Sequence, residues 1–154
     1  MNNELPIEIK KIIENSVLPY ELLSDYSSFD KEKLSKYKLV ENHMSFDYYS
    51  QDDKDMILSF MGFPNDESTP KLCTIKVVDN QYNVLGLRVG EQQENLGEIL
   101  SKHGYESLET TYTCCYKNGK VSITFEFNAT SFEDVPIKSI KIDISPEYSG
   151  NNLY

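Results

Sequence analysis

The sequence predicts an α+β protein in which an antiparallel sheet carries helices packed on one face. Three observations indicate this class. Apolar residues recur at helical spacing near the amino terminus, apolar and polar residues alternate in later segments, and an Asn118-Gly119 pair typical of a tight hairpin turn joins two such segments. The chain has 154 residues, so we expect residues 1–154 to form a single domain.

The amino-terminal part, residues 1–43, is predicted to be helical. Its first helical pattern ends before Pro19 and comprises Leu5, Ile9, Ile12, Ile13 and Val17. A second, weaker helical pattern covers residues 29–40, and residues 19–28 are predicted to connect the two. Residues 44–50 alternate loosely and are predicted to form a strand.

A seven-residue pattern occurs twice, at residues 57–63 and 99–105. Each copy ends an amphipathic run with a glycine, followed by an aromatic residue that can fold back on the last helical turn. We therefore predict that two unequal helix-then-strand repeats, residues 44–89 and 90–154, follow the amino-terminal helices. The second repeat carries an additional hairpin.

The first repeat is predicted to contain one helix and two strands. The buried stripe of the helix comprises Met56, Ile57, Phe60 and Met61. The inward-facing residues are Cys73, Ile75 and Val77 in one strand and Leu85, Leu87 and Val89 in the other. A helix with the apolar stripe Leu96, Ile99 and Leu100 then opens the second repeat.

The hairpin of the second repeat fixes which residues share a face. With Asn118-Gly119 as the central residues of the turn, the facing pairs are Tyr116 and Val121, Cys114 and Ile123, and Tyr112 and Phe125. A last strand, residues 139–144, turns three residues inward: Ile140, Ile142 and Ile144. All these apolar residues then fall on one side of the sheet.

The opposite side of the sheet is polar and is the one extended surface that the sequence defines. Its predicted binding residues are Thr113, Cys115, Ser122, Thr124, Glu126, Lys141 and Asp143. We expect a protein partner to dock on this side. The alternative interpretation is an ordinary solvated face of a sheet.

The chain is acidic, with 15 basic and 25 acidic residues and a net charge of -10. Such a surface repels phosphate groups, which excludes nucleic acid and anionic membranes as favoured partners. A basic protein partner would be attracted. The sequence contains no stretch of apolar residues long enough for a secretory signal or a membrane span, so we expect a cytoplasmic protein.

The residues that carry chemistry are sparse. The sequence contains two histidines, His43 and His103, and three cysteines, expected to be reduced, but no set with the spacing of a catalytic or metal site. We therefore predict no catalytic residues, no metal and no cofactor, and a protein that is not an enzyme. The alternative is a small-ligand-binding or thiol-dependent enzyme domain with a cleft near His43 or Cys73.

One segment carries a family resemblance. Leu85-Gly86-Leu87-Arg88-Val89-Gly90, followed by a short helix, by Gly104-Tyr105 and by three antiparallel strands, resembles the repeat unit of β-lactamase-inhibitory-protein-like domains and of small outer-membrane-assembly lipoproteins. The resemblance covers residues 50–145 and implies protein binding through the sheet face. The chain is also similar to small uncharacterised proteins of low-GC Gram-positive bacteria, some of which resemble immunity proteins. We therefore expect a protein-binding domain of the immunity or inhibitor type.

Overall fold

The computed structural model describes residues 6–29, 32, 35, 37–41, 45–50, 57–61, 71–91, 95–108, 114–127 and 136–144. Within these residues the strands are β1 (Tyr37–Glu41), β2 (Ser45–Ser50), β3 (Ile57–Met61), β4 (Lys71–Val77), β5 (Glu106–Leu108), β6 (Cys114–Asn118), β7 (Val121–Phe127) and β8 (Ile137–Ile144). They form one antiparallel sheet in the order β1-β2-β3-β4-β8-β7-β6-β5. Together with the helices α1 (Ile7–Glu14) and α2 (Leu96–Lys102), this sheet confirms the predicted α+β class.

One face of the sheet is buried together with the helices. Four neighbouring strands contribute fully buried residues that lie opposite one another: Leu58, Ile75, Ile142 and Ile123. The same apolar cluster contains four helical residues: Ile9, Ile12, Leu96 and Leu100. The inward-facing residues predicted for β7 and β8 are confirmed, and they are Val121, Ile123, Phe125, Ile140, Ile142 and Ile144. Both helices therefore share one core with the sheet.

A strap, defined as residues 15–29, fastens α1 to the sheet. The backbones of Val17 and Asn83 donate a hydrogen bond to each other, both 2.9 Å long. Farther along the strap, the amide of Leu23 donates to the carbonyl of Leu72 in β4 at 2.8 Å. The short helical turn Tyr26–Ser28 completes the strap, which is thus hydrogen-bonded at two separate places.

The two copies of the seven-residue pattern adopt different structures. The first copy supplies the strand Ile57–Met61, so the helix predicted there is wrong, whereas the second copy supplies most of α2 and the turn after it. Leu58 and Phe60 are fully buried and Ser59 between them is half-buried, which is the alternation of a strand. Over only five residues the spacing of apolar residues fits a helix and a strand equally well. The pairing of these residues with β2 and β4 makes them a strand. The tandem repeat is therefore not confirmed.

A strand also replaces the end of the weaker amino-terminal helix. The helix predicted over residues 29–40 is wrong at its carboxyl end, because Tyr37–Glu41 forms β1. This strand pairs over its whole length with Ser45–Ser50, which confirms the strand predicted at residues 44–50. The aromatic residues of β2 favour a sheet, and the pairing overrides the weak helical spacing of β1.

The strand predicted through Leu85, Leu87 and Val89 is instead a tight turn. Val84 and Leu87 exchange two backbone hydrogen bonds of 2.9 Å. Leu85 and Gly86 occupy the central positions with φ of 54° and 85°, as in a type I′ turn. A leucine rarely adopts this backbone conformation, and here its side chain is buried, which offsets the strain.

The hairpin between β6 and β7 forms as predicted, with a shifted turn. Gly119 and Lys120 are the two central residues, one position later than the Asn-Gly pair predicts. Since Gly119 has a φ of 56° and Lys120 has no positive φ, the turn matches type II′, which places glycine first. Tyr116 consequently lies opposite Ile123 instead of Val121. The shift is two residues, so the apolar residues described in β6 and β7 keep their predicted face, whereas Tyr112 lies outside the described residues.

The carboxyl end of α2 confirms the glycine-aromatic stop signal. Gly104 has a φ of 90° and donates to the carbonyl of Ser101 at 3.0 Å. The amide of Tyr105 folds back and donates to the carbonyl of Leu100 at 2.9 Å, which completes a Schellman motif. The Tyr105 ring is buried, and burial raises the pKa of its hydroxyl, with the nearby Glu8 carboxylate adding to the rise.

Candidate functional site

The face opposite the core carries the predicted binding residues on the strands β6, β7 and β8. We call it the polar face, and its described members include Thr74, Lys76, Glu106, Cys115, Lys117, Ser122, Thr124, Glu126, Lys141 and Asp143. Thr113, which was also predicted, lies outside the described residues. Pairing across the strands places Ser122 opposite Asp143 and Thr124 opposite Lys141. The structure therefore brings the other six predicted residues onto one surface.

A shielded ion pair occupies one end of the polar face. The Lys76 ammonium lies 2.8 Å from a carboxylate oxygen of Glu126. Lys76 belongs to β4 and Glu126 to β7, so the lysine reaches across β8, where the fully buried Ser139 lies opposite Glu126. The Lys76 side chain is 11% exposed and that of Glu126 is 45% exposed. The lysine is thus hidden on a face that the sequence predicts to be open to water.

The Lys76 ammonium also sets the protonation of Glu126. Its hydrogen bond is the main cause that holds the pKa of Glu126 below the ordinary value, with a smaller contribution from the positive charge of Lys138. Partial burial of the carboxylate opposes this effect. Glu126 therefore remains ionised as the pH falls to its ordinary pKa.

Replacing Glu126 with glutamine tests this pair through the acid dependence of stability. A lowered pKa in the folded state stabilises the protein above pH 4.5, the ordinary carboxyl value, and this contribution is lost as the pH falls through the lowered pKa. We therefore expect Glu126→Gln to flatten the decline of the thermal midpoint below pH 4.5. The effect is small because the side chain is nearly half exposed. Lys76→Gln should flatten the same region, and identical curves for all three proteins would contradict the pair.

A second ion pair lies at the accessible end of the polar face. The Lys141 ammonium is 3.7 Å from an Asp143 carboxylate oxygen, and both side chains are 39% exposed. The other oxygen of Asp143 accepts a hydrogen bond of 2.8 Å from the hydroxyl of Thr74. This arrangement fixes the aspartate more firmly than the lysine.

Small side chains on β7 and β6 lead from the second ion pair to an apolar edge of the sheet. The Thr124 hydroxyl donates to the Cys115 sulfur at 3.5 Å. Cys115 in turn lies opposite Leu108 of the edge strand β5, whose side chain is well exposed. The sequence offered no sign of the role of Leu108, because the strand β5 has only three residues. The accessible end therefore combines an apolar edge, hydroxyl groups and one ion pair.

The charges of the polar face are balanced. On the strands β4 to β8, three lysines of this face, Lys76, Lys117 and Lys141, match three acidic residues, Glu106, Glu126 and Asp143, in number. The net charge of -10 therefore does not arise from these six side chains. An attraction for basic partners would be a property of the whole molecule and would act at long range.

The thiols do not form a reactive site in the described part of the chain. Cys73 is buried in β4, and burial raises the pKa of the Cys114 thiol, which keeps it protonated and weakly nucleophilic. His43 lies outside the described residues. A cavity of about 240 Å³ lies along the strap, lined by Ile13, Ser16, Leu18, Pro19, Tyr20, Glu21 and Leu22, and Cys73 is not among these residues. No cluster of three metal-binding side chains occurs among the described residues.

The fold and this surface define an α+β protein with one buried and one polar sheet face. Comparison with known proteins finds similarity to the ribosome maturation factor RimM of Helicobacter pylori, at 28% identity over 118 residues in the strains 26695 and HPAG1. The match covers 72% of this chain and 64% and 65% of the two relatives, so the chain spans less than two thirds of their length. No known family model matches the chain, and no solved structure matches it significantly. None of the helices in the described ranges is long and apolar enough to cross a membrane.

Proposed function

We propose that this protein is a non-enzymatic binding domain that docks a protein partner on its polar face, in the manner of an inhibitor or immunity protein. The observation that carries the proposal is the accessible end of this face, where Thr124, Ser122 and the pair Lys141–Asp143 share one surface with the exposed Leu108, which lies two strands beyond Thr124. An apolar contact next to oriented polar groups is the usual composition of a protein interface. No comparable grouping serves chemistry elsewhere in the described ranges.

The charge of the protein supports a partner that is basic overall. A net charge of -10 speeds the encounter with a basic protein and opposes contact with nucleic acid or anionic lipid. After the encounter, the balanced charges of the polar face would orient the partner on the sheet. A cytoplasmic location, inferred from the sequence, stays a prediction and is part of this proposal.

Ribosome maturation is a second candidate function, favoured by the similarity to the two Helicobacter pylori proteins of that name. The acidic surface of the chain would then meet a protein component of the ribosomal particle, because the phosphates of RNA would be repelled. The two candidates share the same docking face and differ in the identity of the partner.

Substitution of Thr124 tests the docking face. Thr124→Glu places a carboxylate directly opposite the Lys141 ammonium, so we expect the fold to tolerate it within about 1 kcal/mol. The larger charged side chain projects into the docking surface, and we expect at least a tenfold loss in the amount of partner retained from a native lysate. Ser27→Glu, in the exposed turn of the strap, adds the same charge away from the face and should retain the partner like the native protein.

The outcomes separate the candidates. The informative proteins are those that the native chain and Ser27→Glu retain and Thr124→Glu loses. An enzyme or toxin among them would favour the inhibitor or immunity type, and ribosomal proteins among them would favour ribosome maturation. Equal retention by native protein and Thr124→Glu would reject the polar face as the docking surface. A loss of several kcal/mol in the free energy of unfolding would show that Thr124 does not lie on an accessible face.

A further inference from the structure

The two ion pairs of the polar face differ in their availability to a partner. The contact of Lys76 with Glu126 is 2.8 Å long and its lysine is 11% exposed, so this ammonium is already bound and shielded. The contact of Lys141 with Asp143 is 3.7 Å long, and both side chains are 39% exposed. The Lys76–Glu126 pair is therefore a contact within the protein, whereas the Lys141–Asp143 pair is accessible to a partner.

The accessible pair keeps bonding capacity toward solvent. A lysine ammonium has three donors, and 3.7 Å is beyond the length of a hydrogen bond, so its contact with Asp143 leaves these donors free for an incoming acceptor. Asp143 uses one oxygen to accept from Thr74, which orients the carboxylate and leaves lone pairs on the other oxygen. An oriented carboxylate beside an incompletely bonded ammonium is a two-point recognition element.

The neighbours of this pair leave it accessible. On β7, Ser122 lies opposite Asp143 and Thr124 lies opposite Lys141. Both are short side chains, so the charged groups extend beyond them on this flank. On β4, Thr74 lies opposite Asp143 and Lys76 lies opposite Lys141, with the Lys76 ammonium turned to Glu126. Lys141 and Asp143 are two residues apart on one strand, which separates their Cα atoms by about 6.7 Å.

We propose that the partner presents a carboxylate to Lys141 and an ammonium or guanidinium group to Asp143, whose own charged atoms lie 3.7 Å apart. Oppositely charged residues two apart on a strand or four apart on a helix place two such groups side by side. A protein surface offers charges of both signs side by side, whereas the backbone of nucleic acid carries only negative phosphates. The inference deepens the proposed function and rests on it, since it names the contact chemistry of the same face.

Exchanging the two charges tests the proposal. The double variant Lys141→Asp/Asp143→Lys keeps an opposite-charge pair on the strand and the net charge of the protein, and reverses the order in which the partner meets them. The partner is the protein that the native chain captures from the lysate and that Thr124→Glu does not capture. We expect the double variant to retain at least tenfold less of this partner than the native chain does. The matched control is Glu98→Lys/Lys102→Glu on the exposed side of α2, which should retain that protein like the native chain.

Each outcome decides one claim. Equal retention by the exchanged and native proteins would overturn the two-point contact while the docking face stands. Retention that ribonuclease abolishes would also overturn it, because the contact would then pass through RNA. If Thr124→Glu retains the partner fully, the proposed function fails and the contact fails with it. If the exchanged variant does not fold, the single variants Lys141→Gln and Asp143→Asn replace it in the test. Each is expected to weaken retention of the partner severalfold. Undiminished retention by both would overturn the two-point contact.

Discussion

Replacing Gly119 with alanine is expected to lower the free energy of unfolding by about 2–4 kcal/mol. Gly119 has a φ of 56°, where a Cβ atom clashes with its own backbone. An added Cβ would also collide with the Glu8 carboxylate, lying 2.8 Å from its carboxyl carbon. The collision displaces the Glu8 oxygen that accepts the Lys120 amide at 2.9 Å, so α1 loses its bond to the hairpin. Urea-induced unfolding measures this loss.

A double-mutant cycle separates the two causes of this loss. Glu8→Ala alone removes the hydrogen bond to Lys120 and is expected to cost about 1.5–3 kcal/mol. In the Glu8→Ala background the collision is absent, so Gly119→Ala should cost only the backbone strain, about 1–2 kcal/mol. Additive losses in the double variant would contradict the contact between α1 and the hairpin turn.

Replacing Phe60 with alanine is expected to lower the free energy of unfolding by about 3–5 kcal/mol, more than the loss expected for Gly119→Ala. Phe60 is fully buried in β3 and contacts two rings of the strap edge-on, with centroid distances of 5.1 Å to Tyr26 and 4.8 Å to Phe29. Its removal leaves a cavity between the sheet and the strap and breaks both aromatic contacts. Thermal and urea unfolding with fluorescence detection measure the change.

Leu39→Ala is the matched control for Phe60→Ala. Leu39 lies on the edge strand β1 of the same sheet and is 40% exposed, so its truncation should cost less than about 1 kcal/mol. A small effect of Phe60→Ala, similar to that of Leu39→Ala, would mean that residues 57–61 do not form a strand against the core.

The fold class followed from the sequence where one pattern fitted a single structure. Apolar and polar residues alternate over all seven positions of β7 and over the last six positions of β8, and a glycine turn sets the register within two residues, so Phe125 and Ile142 were assigned to the core. The stop signal at Gly104 likewise determines the end of α2. These segments are specified by local chemistry, which a single sequence contains.

Other segments were not predictable because distant parts of the chain decide their structure. Isoleucine, leucine and serine follow one another in both copies of the seven-residue pattern, yet β3 lies between two strands and α2 does not. Leu85 enters a left-handed turn because its side chain is buried and its amide donates to the Ser16 hydroxyl at 2.9 Å. Neither condition is visible in the residues nearby.

The candidate site shows the same division. Strand alternation placed Thr124, Lys141 and Asp143 on one face, and the structure does so too. Alternation could not reveal that Lys76 reaches across β8 to Glu126, since a long side chain chooses its partner by three-dimensional proximity. The shielded and the accessible ion pair therefore differ only in the three-dimensional structure, through their contact lengths and the exposure of their side chains.

The bond from Lys120 to Glu8 also bears on how the chain is made. It joins positions 112 residues apart, so the first helix leaves the ribosome long before its docking site exists. At common rates of translation that delay is roughly 6–22 s, during which Ile9 and Ile12 remain uncovered. Such non-local closure implies a slow final folding step, and a nascent chain that benefits from chaperone protection until the hairpin emerges.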